Sequence, residues 1–243
     1  MDALECIASR RSIRRFLDMP VDKETVMDIV DAGHLAPSSG NVQDWRFIVV
    51  DDKALMKKLS EHSLGQDCVH NAAFLIVVCA DPEQTERHYG LRGSRLYTVQ
   101  NCAAAVQNML LAAHAMDVGG VWVGAFDEDK IKMLLDIPAN VRPQAILAFG
   151  YPAEKPDTKV VKDLDVITYF NKYGAKIKYM HLAVRDFSVS WEKRISQAHD
   201  AFGRFKEKAK ELTKETSEKI SKEGGSLFKE YKEKLGEKLK PKK

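Results

Sequence analysis

The segment "SRRSIRRF", residues 9–16, concentrates positive charge beside a hydroxyl group. Its polar members lie close together: Arg10, Arg11, Ser12, Arg14 and Arg15. Guanidinium groups at this spacing repel one another unless an anion or acidic side chains balance them. The planar donor fork of arginine suits a phosphate, and Ser12 adds a hydroxyl donor. The segment indicates an anion site; the alternatives are a solvated basic turn and salt bridges to the acidic helix beyond Asp22.

A second polar segment, "APSSGNVQDW" at residues 36–45, leads into the apolar run "RFIVV". It is denser in small polar and turn-forming residues than a connecting loop needs: Pro37, Ser38, Ser39, Gly40, Asn41 and Gln43. Two interpretations are open. The side chains satisfy the backbone of a tight turn before a strand, or they reach the edge of a ligand that carries many donors and acceptors.

Composition divides the chain into two parts. A length of 243 residues with 44% hydrophobic residues is enough to bury a core. Residues 1–180 hold 21 Lys and Arg against 24 Asp and Glu, whereas residues 181–243 hold 17 against 11. We therefore predict an acidic-to-neutral domain at 1–180 and a basic, charge-rich extension at 181–243.

The four cysteines are scattered along the chain: Cys6, Cys68, Cys79 and Cys102. Neither they nor the histidines show metal-ligand spacing, so we expect no metal and interpret the cysteines as buried, reduced thiols. The N-terminus lacks the order of a signal peptide, and no apolar run approaches the ~20 residues that span a bilayer. These features predict a soluble, cytoplasmic protein, for which we expect no nucleic-acid partner.

Apolar spacing predicts helices mixed with buried strands. The predicted helices lie at 2–9, 22–32, 53–62 and 96–116, with a short one capped by Asp127; the predicted strands lie at 46–50, 72–80, 121–126 and 144–152. Strands and helices follow no regular βαβ rhythm, and no G-x-G-x-x-G follows a strand. This pattern disfavours a Rossmann domain.

Four segments in order, "RRSIRRF", "APSSGNVQDWRF", "GGVWVGAF" and "AILAFGYP", resemble the nitroreductase family of flavin enzymes. Order and spacing match across residues 3–174, ending with "YFNKYG". The resemblance implies an α+β fold with a central, mostly antiparallel sheet flanked by helices. It also implies a homodimer that binds flavin mononucleotide (FMN) at the subunit interface. We expect the apolar face of the helix at 96–116 to pack against the second copy.

The resemblance also implies roles for individual residues. Arg10 and Ser12 would meet the phosphate and ribityl end of FMN, and Arg11 the ribityl and phosphate region. Arg14 would lie beside the pyrimidine edge. The loop that reaches the flavin of the other subunit contains Pro37, Ser38, Ser39 and Asn41. The segment near the reactive edge is Gly119, Gly120 and Val121, where glycine allows a close approach of backbone to a flat ring.

Two departures from the family pattern stand out. After Gln43 the family usually has proline, whereas this chain has Asp44. The family often places a Lys-x-Arg pair near the phosphate before its C-terminal strand. Here Lys159 matches the lysine, Val161 stands where arginine is expected, and Lys162 is the candidate substitute.

By resemblance, the function is that of an FMN-dependent NAD(P)H oxidoreductase. NADH or NADPH would pass hydride to flavin N5, and a small flat acceptor such as a nitroaromatic or quinone would then take the electrons in a ping-pong cycle. Arg14 would stabilise the charge of the reduced flavin. The alternatives are a relative that performs reductive dehalogenation or flavin breakdown, and a flavin-binding sensor or scaffold whose helical arm binds a partner.

The extension lies outside the resemblance. Its apolar residues recur at heptad-like spacing: Ile195, Ala198, Phe202, Phe205, Ala209 and Leu212. This spacing predicts an amphipathic, C-terminal helical arm at 181–243. The arm could pack on its own dimer, pair with the other arm, or bind an anionic membrane or acidic partner. The mixture of Lys and Glu around the stripe favours helix pairing over the membrane.

Overall fold

A computed structural model describes residues 1–176 of the chain. The predicted arm at 181–243 and its boundary lie outside the described residues. The helices are α1 (Ala3–Ser9), α2 (Lys23–His34), α3 (Lys53–Glu61), α4 (Asp67–His70), α5 (Glu83–Arg92), α6 (Thr98–Ala115), α7 (Glu128–Leu134) and α8 (Leu164–Ile167). The strands are β1 (Trp45–Val50), β2 (Phe74–Ala80), β3 (Gly119–Val123) and β4 (Arg142–Gly150). A 3₁₀ turn spans Ser39–Asn41, and a π turn spans Gly93–Tyr97.

The strands form one sheet in the order β1-β2-β4-β3, and every neighbouring pair is antiparallel. In the central pair, Leu75 lies opposite Ala148. The register shifts between Val78 and Cys79, where a bulge interrupts the ladder. The predicted α+β fold with a mostly antiparallel sheet is confirmed.

Helices cover both faces of the sheet. Alternate side chains of a strand point to opposite faces, so Ile76 and Leu147 join one core cluster and Val77 and Ile146 join the other. The first cluster includes residues of α2 and α6, and the second includes residues of α3, α4 and α7. Because both faces are covered, all seven residues of β2 are buried, which explains its continuous apolar sequence.

The apolar face of α6 is used within the chain itself. Ala105, Val106 and Met109 are fully buried in the first core cluster. The Asn108 amide donates to the carbonyl of Ala32 in α2 at 3.1 Å. The buried residues of this face therefore pack against the chain's own sheet and α2 rather than against a second copy. Val99 of the same helix is 38% exposed, and its packing against a second copy stays a prediction.

Aspartates begin several of the helices. The predicted caps are confirmed: Asp22 accepts the Thr25 N–H at 2.8 Å, and Asp127 accepts the Lys130 N–H at 3.1 Å. The backbone hydrogen bond from Thr25 lowers the pKa of Asp22. A carboxylate at this position satisfies N–H groups that have no partner within the helix.

Sequence patterns missed α4, α5, the π turn and α8. In α5 the only buried residue is Thr85, so the helix has no apolar stripe from which to predict it. Gly90 interrupts it with φ 59°, ψ −150°, a conformation that costs glycine little.

We expect Ile131→Ala to lower the free energy of unfolding by about 2–5 kcal/mol, because Ile131 is fully buried in the second core cluster. Met133, on the same helix, is 64% exposed. Met133→Ala should change the free energy of unfolding by no more than about 0.5 kcal/mol. Denaturant unfolding measures both. Similar losses in the two variants would contradict the position of α7 against the sheet.

Candidate functional site

The arginine segment, residues 9–16, lies beside β3 and is held there by backbone hydrogen bonds. The Ile13 N–H donates to the Gly120 carbonyl at 3.1 Å, and Ser12 forms a parallel bridge with Gly120. Further along, the Ala153 N–H donates to the Arg15 carbonyl at 2.8 Å. The structure therefore brings two of the predicted site segments, 10–14 and 119–121, side by side.

Glu154 fixes the arginine segment from a distant part of the chain. One of its carboxylate oxygens accepts the backbone N–H of Arg14 at 2.6 Å and that of Arg15 at 3.1 Å. Sequence reasoning missed this residue, since nothing in a linear pattern connects it to a segment so far away. The two bonds orient the backbone and leave both arginine side chains exposed.

The guanidinium groups of the segment have no carboxylate partner among residues 1–176. The ion pairs in this range join Arg46 to Asp81, Arg87 to Glu83 and Arg142 to Glu128. The alternative that the helix beyond Asp22 balances the cluster is therefore wrong. A solvated basic turn and an anion site remain as interpretations.

Arg11 is partly committed to its own chain. Its Nη1 donates to the carbonyls of Ala8 and Arg10, both at 2.8 Å, at the C-terminus of α1. A cation at this end of a helix is favourable. Burial, with a smaller contribution from the charge of Arg10, lowers the pKa of Arg11. Arg11 therefore has a structural role besides any ligand contact.

The serine loop, residues 36–45, satisfies part of its own hydrogen-bonding capacity. Ser38 Oγ accepts the Gln43 N–H at 3.0 Å, and Asn41 Oδ1 accepts from the Gln43 amide at 3.1 Å. Gly40, Asn41 and Gln43 all have left-handed φ angles between 52° and 57°. The turn interpretation is confirmed for these groups. Pro37 and Asn41 are exposed, and both serines are half-buried.

A buried network that sequence reasoning missed anchors this loop. Asp44, the residue in place of the family's proline, is 2% exposed and accepts from Thr85 Oγ1 at 2.6 Å and Asn101 Nδ2 at 2.8 Å. Asn101 Oδ1 in turn accepts from the N–H and hydroxyl of Ser39 at 2.9 and 3.2 Å. The only sequence signal for this network was Asp44, which follows Gln43 where the family usually has proline.

Aromatic residues of α5 and the π turn lie next to the loop. The hydroxyl of Tyr89 occupies the space that a Cβ on Gly40 would need. Tyr97 packs edge-on against Tyr89 at 5.3 Å between ring centroids, and the Arg92 guanidinium lies 5.6 Å from the Tyr97 ring centre. These elements, absent from the sequence prediction, form an aromatic wall beside the serine loop.

The glycine pair is explained by the chain's own packing. A Cβ on Gly119 would lie 2.9 Å from Ile13, and one on Gly120 would lie 2.7 Å from the ring of Phe149. Close approach to a flat ligand is therefore not needed to explain glycine here, which corrects our physical reason for it. Val121 is 3% exposed in the core.

Lys159, Val161 and Lys162 lie on an irregular, exposed segment before α8. Within the described part of the chain, no hydrogen bond or ion pair joins either lysine to the arginine segment. Their role at a phosphate therefore stays a prediction.

The cysteine interpretation is confirmed: all four thiols are unpaired and buried. Burial is the main cause that raises the pKa of Cys79 to about 11 and that of Cys102 to about 12. Protonated, enclosed thiols are poor nucleophiles. Residues 1–176 contain no grouping of His, Cys, Asp and Glu that could hold a metal ion, and none of the helices described there is long and apolar enough to cross a membrane.

Comparisons with known proteins agree with this architecture. The family model described as "Nitroreductase family" matches residues 7–66 and 64–151. A Methanothermobacter thermautotrophicus protein, provisionally named an NADH dehydrogenase/NAD(P)H nitroreductase, is 40% identical over 69% of this chain and 86% of its own length. The oxygen-insensitive NADPH nitroreductase of Salmonella typhimurium is 32% identical over 70% of this chain and 74% of its own.

A solved structure gives the same result. The FMN-dependent nitroreductase from Clostridium difficile R20291 superposes with a TM-score of 0.61 at 28% identity, over 70% of this chain and 99% of that one. The fold is thus of the α+β class with nitroreductase architecture. The chain belongs to the nitroreductase family.

His114, in the last turn of α6, forms a hydrogen bond with Ser9 at the end of α1, next to the arginine pair Arg10 and Arg11. The Ser9 hydroxyl donates to the Glu5 carbonyl at 2.7 Å, so Ser9 Oγ accepts the Nε2–H of His114 at 2.8 Å. Burial, with smaller contributions from Arg10 and Arg11, lowers the pKa of His114 to about 4. The ring is therefore neutral in the folded protein at neutral pH.

We expect the free energy of unfolding to fall as pH is lowered from about 6.5 towards about 4. In this range the unfolded chain protonates His114 and the folded chain does not, so acid favours unfolding. His114→Gln should remove this component, whereas His88→Gln, at an exposed histidine of α5, should retain it. Denaturant titrations at several pH values make the comparison, and an unchanged pH dependence in His114→Gln would refute the assignment.

Proposed function

We propose that the protein is an FMN-dependent NAD(P)H oxidoreductase of the nitroreductase type. The observation that carries the proposal is the arginine segment, whose guanidinium groups have no carboxylate partner within residues 1–176 and whose backbone is fixed by Gly120 and Glu154. A fixed, unbalanced cationic segment with a nearby hydroxyl suits a phosphate monoester. The residues present therefore fit the phosphate end of FMN.

Each residue of the segment has its own part in this proposal. Arg10 and Ser12 bind the phosphate and ribityl end. Arg11 contributes the N–H groups that its bonds at the end of α1 leave over. Arg14, exposed beside the fixed backbone, would lie at the pyrimidine edge, where its positive charge would stabilise the negative charge of the reduced flavin. Lys159 and Lys162 supplement the phosphate contacts.

When bound, the flavin would supply the hydride chemistry, taking hydride from NADH or NADPH at N5 and passing the electrons to a nitroaromatic, quinone or similar flat acceptor in a ping-pong cycle. The chain itself positions these groups. The backbone of Gly119, Gly120 and Val121 would lie near the reactive edge of the flavin. Tyr89, which is 39% exposed beside Gly40, offers an aromatic ring to a flat acceptor at the serine loop.

We further propose a homodimer in which Pro37, Ser38, Ser39 and Asn41 contact the flavin of the other copy. The apolar outer face of α1 supports it, since Leu4 is 66% and Ile7 56% exposed. The segment after β4 also exposes apolar side chains: Val160, Val161, Leu164, Val166, Ile167, Phe170 and Tyr173. Surfaces of this kind mark interaction sites. The unpaired thiols favour a cytoplasmic location.

We expect the purified protein to be yellow and to bleach when NADH or NADPH is added anaerobically. Arg10→Ala or Ser12→Ala should weaken FMN binding by about one to two decades, because a charge-assisted phosphate contact contributes about 1.5–3 kcal/mol. Arg14→Ala should retain FMN but slow its reduction. Fluorescence titration and stopped-flow absorbance measure these effects.

Arg15→Ala is the matched control, since Arg15 shares the exposed position and the Glu154 contact of Arg14. It should bind and reduce FMN as the unaltered protein does. A protein that binds no FMN, or equal losses at Arg10 and Arg15, would refute the site.

Light scattering should give a mass of two chains. Leu4→Glu with Ile7→Glu should shift the protein towards a single chain, because charged groups are poorly accommodated at the centre of an interface. Leu64→Glu, at a leucine that is 79% exposed elsewhere, should leave the mass unchanged. A single-chain mass with flavin still bound would rule out the dimer.

A further inference from the structure

A buried carboxylate stands where the family usually has proline. Asp44 precedes β1 and is almost fully buried. Its two side-chain oxygens are used separately, one accepting from Thr85 Oγ1 and the other from Asn101 Nδ2. The backbone carbonyl of Asp44 also accepts the Asp81 N–H at 2.8 Å. Proline has no side-chain acceptor, so it could not make the first two bonds.

The carboxylate determines the direction of every hydrogen bond that follows. An ionised carboxylate only accepts, so Asn101 must turn its NH₂ group towards Asp44. This leaves Asn101 Oδ1 facing Ser39, where an oxygen can accept both the N–H and the hydroxyl hydrogen. The orientation of the amide, which is ambiguous in many proteins, is here fixed by chemistry.

The consequence is a serine pair with defined polarity. Both hydrogens of Ser39 point inward to α6, so Ser39 Oγ can offer only lone pairs to a ligand. Ser38 Oγ already accepts the Gln43 N–H and keeps its own hydrogen to donate. Two adjacent serines thus present one acceptor and one donor.

We propose that Asp44 is a positioning residue that acts through Asn101: it holds Ser39 inward and gives the loop the donor–acceptor polarity with which it contacts flavin. The ligand in this statement rests on the proposed function, whereas the action of Asp44 on the loop does not. Thr85 extends the same network to α5, the helix that carries Tyr89. One buried charge thereby orients both the loop and the aromatic wall.

A charge-swap cycle tests the proposal with three variants. Asp44→Leu removes both acceptors and frees the Asn101 amide. Asn101→Asp opposes two carboxylates where an oxygen and a nitrogen now lie 2.8 Å apart. The double variant Asp44→Asn with Asn101→Asp restores every bond. Its carboxylate, now on α6, accepts from Ser39 and from the new amide on the loop, and the oxygen of that amide accepts from Thr85. Asp51→Leu, at an exposed aspartate, is the control.

Two readouts separate the loop from its ligand. Hydrogen–deuterium exchange of residues 37–44 is measured on flavin-free protein, and FMN affinity is measured by titration. Asp44→Leu and Asn101→Asp should each accelerate exchange and weaken FMN affinity by about tenfold or more, because each leaves a buried polar group without its partner. The double variant should return to within about threefold of the unaltered protein.

The proposal is overturned if Asp44→Leu matches Asp51→Leu in both readouts, or if the double variant is no better than Asn101→Asp. Should Asp44→Leu fail to fold, the swap cycle decides the same question, since rescue requires the bonds and not the volume. If the unaltered protein binds no FMN, the proposed function fails, while the exchange measurements still determine whether Asp44 holds the loop.

Discussion

The antiparallel pairing of β2 with β4 lies at the centre of a sheet from which both covering helix layers exclude water. Buried backbone groups must be paired, so this ladder fixes the positions of the chain ends that leave it. Beyond β4, the chain reaches Ala153 and Glu154, which bond to the arginine segment. Beyond β2, Asp81 bonds to the carbonyl of Asp44. The arginine segment and the serine loop are therefore both positioned by the chain segments that follow this pair of strands.

The protein treats charge in opposite ways at these two places. The guanidinium groups near α1 remain unpaired within the described residues and, in the proposed function, are balanced by a ligand phosphate. The carboxylate of Asp44 is buried and satisfied by the neutral donors of Thr85 and Asn101. A buried charge is tolerated only when its hydrogen bonds are made, so the bonds from Thr85 and Asn101 stabilise Asp44 at this position. In the proposed function, the exposed arginines would bind the phosphate and the buried Asp44 would position the loop.

Linear patterns were sufficient for the regular parts of the fold. Helices with an apolar stripe and an aspartate cap, such as the one after Asp22, were predicted almost to their ends. The failures have two causes. The helix α5 buries only Thr85, and the face of α6 around Met109 was assigned to a second copy because periodicity shows that a face is buried but not against what.

The sequence alone determined the family, the buried reduced thiols and the segments that carry the candidate site, because residue types and local spacing are properties of the chain itself. Only the tertiary structure decided which groups satisfy one another. It placed Glu154 on the backbone of Arg14, Ile13 in the space beside Gly119, and Asn101 between Ser39 and Asp44. These partners are far apart in sequence, and hydrogen bonds and packing act over a few ångströms of space rather than along the chain.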